Sequence, residues 1–343
     1  MPQIHRILVI SESLHTLPEA VRVLDGSGHQ VTYVEGLIEW PKLPAQAASA
    51  LQDADAVVMG RVMGVDASAL ELAPALRVIA LHTSGSDNVD VAAATQRGVL
   101  VTNVKGVNAE QCAEFAMGLT LSVVRQICTG DQAIRAGLWA TRTHTSMDLH
   151  GSTVGVIGLG LIAKAFVRRV LAFGVRVLVY TRTPDAAAAQ ELGIEYAAFD
   201  EVLRTSDVLC LFASLNEETR GMIGAKELAA MKRSAYLVNI ARGELVQEDA
   251  LYQALRSGQI AGAGLDVFET EPLYESPLFA LPNVVLTPHQ AGLTQGGKAG
   301  AAIRAARNAL EVLNGTVPLD AINRRAHDVW MERGLRSPLH LRS

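Results

Sequence analysis

The sequence predicts an α/β protein built from two doubly wound, parallel-sheet domains. Short β-branched runs alternate with helical patterns along the whole chain, which is the signature of parallel strands joined by helices. The rhythm runs twice, once on each side of a long apolar segment at 109–125. A glycine fingerprint occurs only in the second run, so the two domains share a style but not a task.

In the first run, strands are expected at 6–10, 30–34, 56–59, 78–81 and 99–102. Helical segments lie between them, such as 18–26, with Gly26 and Gly28 as stop signals. AEQCAEFAMGLTLSVVR (109–125) reads as one long helix, apolar over most of its surface. It is therefore expected to be buried on several sides, between domains or against a second subunit. The rhythm restarts at Thr153, with strands expected at 154–157, 175–180, 208–212, 235–239, 261–265 and 284–286. An Ala-rich helix at 299–313 closes the pattern at Asn314-Gly315. No internal repeat or low-complexity linker interrupts it.

Composition narrows the function. A chain of 343 residues with 49% apolar and 19% charged residues has room for two cores. The net charge is −5 and no basic stretch suits a nucleic-acid partner. The basic segment 323–343 reads as a solvated terminus. No 18-residue uncharged apolar run suits a membrane, and MPQIHRILVI reads as a strand rather than a signal peptide. Cys112, Cys128 and Cys210 form no CxxC and no zinc spacing. They read as reduced core residues of a cytoplasmic protein, with no metal expected.

VGVIGLGLIAKAF (154–166) holds Gly158-Leu-Gly160-Leu161-Ile162-Ala163, a match to GxGxxG/A between an expected strand and an expected helix. The first glycine makes a tight turn, the second lets backbone approach a pyrophosphate, and the small third residue lets helix and strand pack closely. The phosphates would meet free N–H groups at the helix start. A lone fingerprint is weak; this one has the strand and helix that its mechanism requires.

Three later stretches follow expected strands: NIARGELV (239–246), GLDVFETEP (264–272) and TPHQAG (287–292). In such sheets ligands bind beyond the carboxyl ends of the strands. Singly, Arg242 suits a surface ion pair, Glu271 a turn acid and His289 a loop histidine. Together they supply what a 2-oxo acid needs. Arg242 offers a planar bidentate cation for the carboxylate. His289 offers a proton for the carbonyl oxygen as hydride arrives, and Glu271 would fix the histidine tautomer.

In order and spacing, these motifs resemble the D-isomer-specific 2-hydroxyacid dehydrogenases over nearly the whole chain. LHTSGSDNVDVAAATQRGVLVTN (81–103) is similar to the family's substrate loop, and GVNAEQCAE (106–114) to the helix opening its cofactor domain. NEETRGMIG (216–224) also fits. The resemblance implies a Rossmann NAD(P) domain at 106–290, inserted into a flavodoxin-like substrate domain of 1–105 and 291–343. That insertion would explain a fingerprint in mid-chain. It further implies a homodimer through the cofactor domain, and backbone N–H groups of Ser84 and Gly85 for the substrate carboxylate. Arg61 would line the substrate side. Asp266 would accept from the nicotinamide carboxamide, with Gly158, Gly160, Leu161, Ile162 and Ala241 also at the cofactor. Two departures stand out: Ser214 where the family commonly has Pro, and Val104-Lys105 before Gly106, with Lys105 read as solvated.

Within the family, a small substrate such as glyoxylate or hydroxypyruvate is the first expectation. D-3-phosphoglycerate or phosphite are alternatives, and a dinucleotide-gated corepressor-like module is a non-enzymatic one. Formate oxidation is disfavoured because Glu271 is present. VLVYTRTPD (177–185) addresses the cofactor. NAD-specific folds place an acid at the end of this strand, about 20 residues past the glycines, on the ribose. Here Thr181, Arg182 and Thr183 follow, and Asp185 reads as the start of the next helix. NADP(H) is therefore the preferred cofactor and NAD(H) a possible one, since Arg182 suits a 2′-phosphate.

Overall fold

The computed structural model describes residues 3–11, 14–34, 45–60, 64–139, 146–332 and 340–341. The chain divides into two compact units, Met1–Asn108 with Gln295–Ser343, and Ala109–Thr294. The second unit thus begins and ends a few residues later than the 106–290 expected from the sequence.

The first unit alternates β1 (Arg6–Ile10), α1 (Pro18–Asp25), β2 (Gln30–Val34), α2 (Ala45–Gln52), β3 (Ala56–Met59), α3 (Ala67–Glu71), β4 (Val78–Leu81), α4 (Val91–Gln96) and β5 (Leu100–Thr102). The strands are all parallel, in the flavodoxin-like order β2-β1-β3-β4-β5. Successive residues sort onto opposite faces, as strand geometry requires. Ile7, Val9, Ala56 and Val58 enter one core, and Leu8, Ile10, Val57 and Met59 the other. Both faces are covered, so these strands read as unbroken apolar runs.

The second unit opens with α5 (Ala109–Val124) and α6 (Ile127–Arg135). It continues through β6 (Thr153–Ile157), α7 (Leu161–Val170), β7 (Arg176–Tyr180), α8 (Ala186–Leu192), β8 (Glu195–Tyr196), α9 (Phe199–Thr205), β9 (Val208–Leu211), α10 (Ala225–Ala230), β10 (Tyr236–Asn239), α11 (Glu248–Arg256), β11 (Gly262–Leu265) and β12 (Val284–Leu286). Its parallel sheet runs β12-β11-β10-β9-β6-β7-β8, the Rossmann order with one added edge strand. β8 was not expected; at two residues it is too short to show alternation. The chain leaves β6 on one side and returns to β9 on the other, so β6 stands at the switch point.

The apolar surface of α5 finds its partners inside its own unit. Cys112, Ala116, Met117, Val123 and Val124 join the core with Phe166 and Val170 of α7 and with Val238 of β10. The buried sides of this helix are thus covered within its own unit. Cys128 is also corrected: it lies on α6, which has no buried residue, and is not a core thiol.

After residue 294 the chain returns to the first unit as α12 (Gln295–Leu313), which starts earlier than the expected 299. The helix runs through Gly296-Gly297, with Gly297 buried. Ala301, Ala302, Ala305, Ala306 and Ala309 form a small-residue stripe in the same core as Ala20 and Leu24 of α1. The segment after 323 is not a solvated terminus up to residue 332. Asn323 is buried, accepts from the Val101 N–H at 2.7 Å and donates to the Val99 carbonyl at 2.9 Å. α13 (Arg325–Glu332) then buries Trp330, with the Arg77 guanidinium stacked over its ring at 5.6 Å. A single apolar ring on a short helix outweighs the surrounding charges because it fills a core position.

Candidate active site

The site is built on the carboxyl ends of the second unit's strands. At the switch point, β6 ends and Gly158 turns with φ +88°, a conformation open to glycine. A Cβ there would also lie 2.8 Å from the Ala213 backbone after β9. Gly160 differs. It caps α7 in extended backbone, and a Cβ added to it would meet nothing within 4 Å. The protein itself does not require glycine at 160, so the open face suits a group arriving from outside, such as a pyrophosphate at the helix start. Ala163 is fully buried where α7 packs on the sheet. Leu161 is exposed and Ile162 half-buried at the first turn. These residues fit a dinucleotide.

Arg242 follows β10, half-buried. Buried Asn239, the last residue of that strand, donates to the Arg242 carbonyl at 2.8 Å and accepts from the Ala241 N–H at 3.0 Å. Gly243 lets this turn press on the next loop, since a Cβ there would lie 1.9 Å from the Phe268 carbonyl carbon. The backbone at Arg242 is thus held from both sides, and its Nη1 donates to the Ala241 carbonyl at 2.6 Å. Asn239 was not singled out in the sequence; a polar residue ending an apolar strand was the available signal.

His289 and Glu271 meet. Nδ1 of the imidazole lies 2.7 Å from a Glu271 carboxylate oxygen, with both side chains partly open to solvent (31% and 23%). The other carboxylate oxygen accepts from the Phe268 N–H at 3.1 Å. His289 holds φ +50°, an unusual backbone for a side chain with a Cβ. Asp266 keeps it there. Asp266 is fully buried, and its oxygens accept from Thr287 Oγ1 at 2.6 Å, the Gln290 N–H at 2.9 Å and the Ala291 N–H at 2.9 Å. Its carbonyl accepts from the His289 N–H at 2.8 Å. Three of the roughly four acceptor sites of that carboxylate hold the histidine loop, so its first task is structural.

At the end of β7, Thr181 is half-buried and Arg182 and Thr183 are exposed. Asp185 caps α8 through the Ala187 N–H at 2.9 Å and the Ala188 N–H at 3.3 Å, as the sequence suggested. No acid therefore ends β7. Arg182 also pairs at 3.3 Å with Glu218, in the loop after β9, a contact that no local pattern in the chain signals.

In the first unit, Ser84 donates to Asn108 Oδ1 at 3.1 Å and its carbonyl accepts from Asn103 Nδ2 at 2.8 Å. The Gly85 carbonyl accepts from Thr83 Oγ1 at 2.9 Å. Lys105 is exposed, as expected. Arg61 lies outside the described residues. Among the described residues, no cluster of His, Cys, Asp or Glu could hold a metal, and no helix is long and apolar enough to cross a membrane.

Residues 117–291 match the NAD-binding domain of the D-isomer specific 2-hydroxyacid dehydrogenases. Glyoxylate reductases of Thermococcus gammatolerans and Thermococcus kodakarensis are 43% and 41% identical to the chain, each over 80% of it and 84% of the relative. The NADPH-dependent glyoxylate/hydroxypyruvate reductase of Sinorhizobium meliloti, solved with NADP and malonate, superposes with a TM-score of 0.82 at 30% identity, covering 94% of this chain and 98% of that one. With its glycine loop, its two parallel sheets and this degree of identity, the chain belongs to the D-isomer specific 2-hydroxyacid dehydrogenase family, oxidoreductases acting on the CH–OH group of their donors.

Proposed function

We propose that this chain is an NADP(H)-preferring 2-oxo acid reductase for a small substrate such as glyoxylate or hydroxypyruvate. The observation that carries the chemistry is the His289–Glu271 pair at 2.7 Å, held on the same strand ends that present Arg242. The similarity to glyoxylate reductases supports the small substrate. Arg182 in place of an acid after β7 supports NADP(H), with NAD(H) as the second choice.

When bound, the nicotinamide supplies the hydride to the substrate C2. The rest is work for side chains. Arg242 binds the carboxylate and turns the carbonyl toward the donor. His289, its Nδ1 held by Glu271, gives a proton from Nε2 to the oxygen that becomes the hydroxyl. Glu271 keeps the ring oriented through its contact with Nδ1. Run in reverse, neutral His289 takes the proton from a 2-hydroxy acid. Ser84 and Gly85 are the proposed backbone donors to the substrate carboxylate.

The deciding experiment is cofactor oxidation across glyoxylate, hydroxypyruvate, pyruvate and bulkier 2-oxo acids, with NADPH and with NADH. Reverse assays would add D-3-phosphoglycerate and phosphite. The smallest 2-oxo acids with NADPH should give the highest kcat/KM. Arg182→Ala should weaken NADPH by about tenfold and leave NADH nearly unchanged. A wild-type preference for NADH would overturn the cofactor reading, and turnover confined to the reverse substrates would overturn the substrate reading.

Burial pushes the Cys112 thiol up to about 11, with the Asp266 charge adding, and Cys210 up to about 12. Two protonated, unbridged core thiols support a reducing, cytoplasmic setting. α6 leaves Ile127 and Ile134 exposed, which supports a homodimer through the second unit; a solution mass equal to one chain would remove that reading.

A further inference from the structure

The Arg182–Glu218 pair joins two loops on the same sheet edge, one after β7 and one after β9, on either side of the glycine loop of β6. Both side chains are largely exposed, at 78% and 74%. The loop carrying Glu218 is nevertheless braced. Asn216 Oδ1 accepts from the Glu218 N–H at 2.9 Å and the Thr219 N–H at 3.0 Å. Thr219 Oγ1 donates to the Ser214 carbonyl at 2.7 Å, and the Asn216 N–H donates back to that hydroxyl at 2.9 Å. A carboxylate is therefore held beside Arg182, the cation that follows the end of β7.

We propose that Glu218 is a specificity-determining residue that restrains the preference for the phosphorylated dinucleotide by competing for Arg182. This rests on the NADP(H) reading above. To bind a 2′-phosphate, Arg182 must exchange Glu218 for the phosphate, and the displaced carboxylate stays near a group carrying up to two negative charges. A 2′-hydroxyl makes neither demand, so the unphosphorylated cofactor leaves the pair intact. Glu218 thus penalises one cofactor and spares the other, which is how repulsion sets specificity. Exposure keeps the pair weak, so the restraint is modest and salt-sensitive.

The test uses nucleotide fragments, so it needs no turnover. Binding of adenosine 2′,5′-bisphosphate and of 5′-AMP is measured by calorimetry at low and high salt. Subjects are the wild type, Glu218→Gln, Glu217→Gln and Arg182→Ala, the last also combined with Glu218→Gln. Glu218→Gln should tighten the bisphosphate by about fivefold at low salt and move 5′-AMP by less than about twofold, the scale of an exposed pair. The gain should shrink at high salt and in the Arg182→Ala background. Glu217→Gln removes the same charge one residue away and should gain less. An unchanged bisphosphate affinity in Glu218→Gln overturns the proposal, as does an equal gain in Glu217→Gln. If neither fragment binds any of these proteins, the dinucleotide reading falls and takes the proposal with it.

Discussion

The carboxyl edge of the second unit's sheet has two halves, and they are built differently. The β10–β12 half fixes its groups. Asn239 ties down the Arg242 backbone, Asp266 ties down the His289 loop, and the Phe268 N–H ties down Glu271. The β6–β7–β9 half instead stays open. Gly160 has empty space where a Cβ would be, and the Arg182–Glu218 pair lies in solvent. The ion pairs show the contrast: 2.7 Å and partly shielded for His289–Glu271, 3.3 Å and exposed for Arg182–Glu218. Proton transfer needs geometry held before the substrate arrives. Nucleotide binding needs room and unsatisfied donors. Changes in the first half should therefore act on kcat, and changes in the second on cofactor affinity.

Arg242→Lys is the hardest test of the fixed half. The charge remains but the planar fork is lost, so kcat/KM for a 2-oxo acid should fall by about a hundredfold or more. Cofactor affinity should hardly move. Near wild-type turnover by this variant would remove Arg242 from the substrate, and with it the functional contrast between the halves.

Glu271→Gln comes next, with a loss of about a hundredfold or less in kcat. The loss should be seen in both directions of the reaction. Reduction needs a proton delivered from Nε2 and oxidation needs one accepted there, so a ring that has lost its orienting carboxylate should slow both, with cofactor affinity little changed. Wild-type kcat in this variant would show that the 2.7 Å contact does not serve the proton transfer.

The glycines give the smallest effect on chemistry and the clearest view of the open half. Gly160→Ala should weaken dinucleotide binding by about tenfold while the Tm stays close to wild type, because the new methyl meets no protein atom. Gly158→Ala should lower the Tm by several degrees, since it combines φ +88° with backbone 2.8 Å away. Equal Tm losses in the two variants would show that Gly160, too, is kept for the fold.

Much of this was legible in the chain. The strand and helix order of both units, the glycine turn, the Asp185 cap and the residues Arg242, Glu271 and His289 all stand in contiguous motifs. Backbone geometry constrains such motifs residue by residue: alternation marks a strand, a glycine permits a turn, a short polar side chain caps a helix. Element edges shifted where a two-residue strand at β8 or the Gly296-Gly297 pair gave no usable pattern.

Tertiary structure decided the pairings. Glu218 reaches Arg182 across 36 positions, and Asp266 reaches Gln290 and Ala291 across 24 and 25. Trp330 turned a basic tail into a core element, and α7 supplied the cover that α5 needed. In a parallel sheet, neighbouring strand ends are separated in sequence by whole crossovers, so which side chains meet there depends on the strand order and on the path of each crossover. The chain carries the candidate groups in its motifs, but which side chains each of them meets is settled only when the strands are side by side.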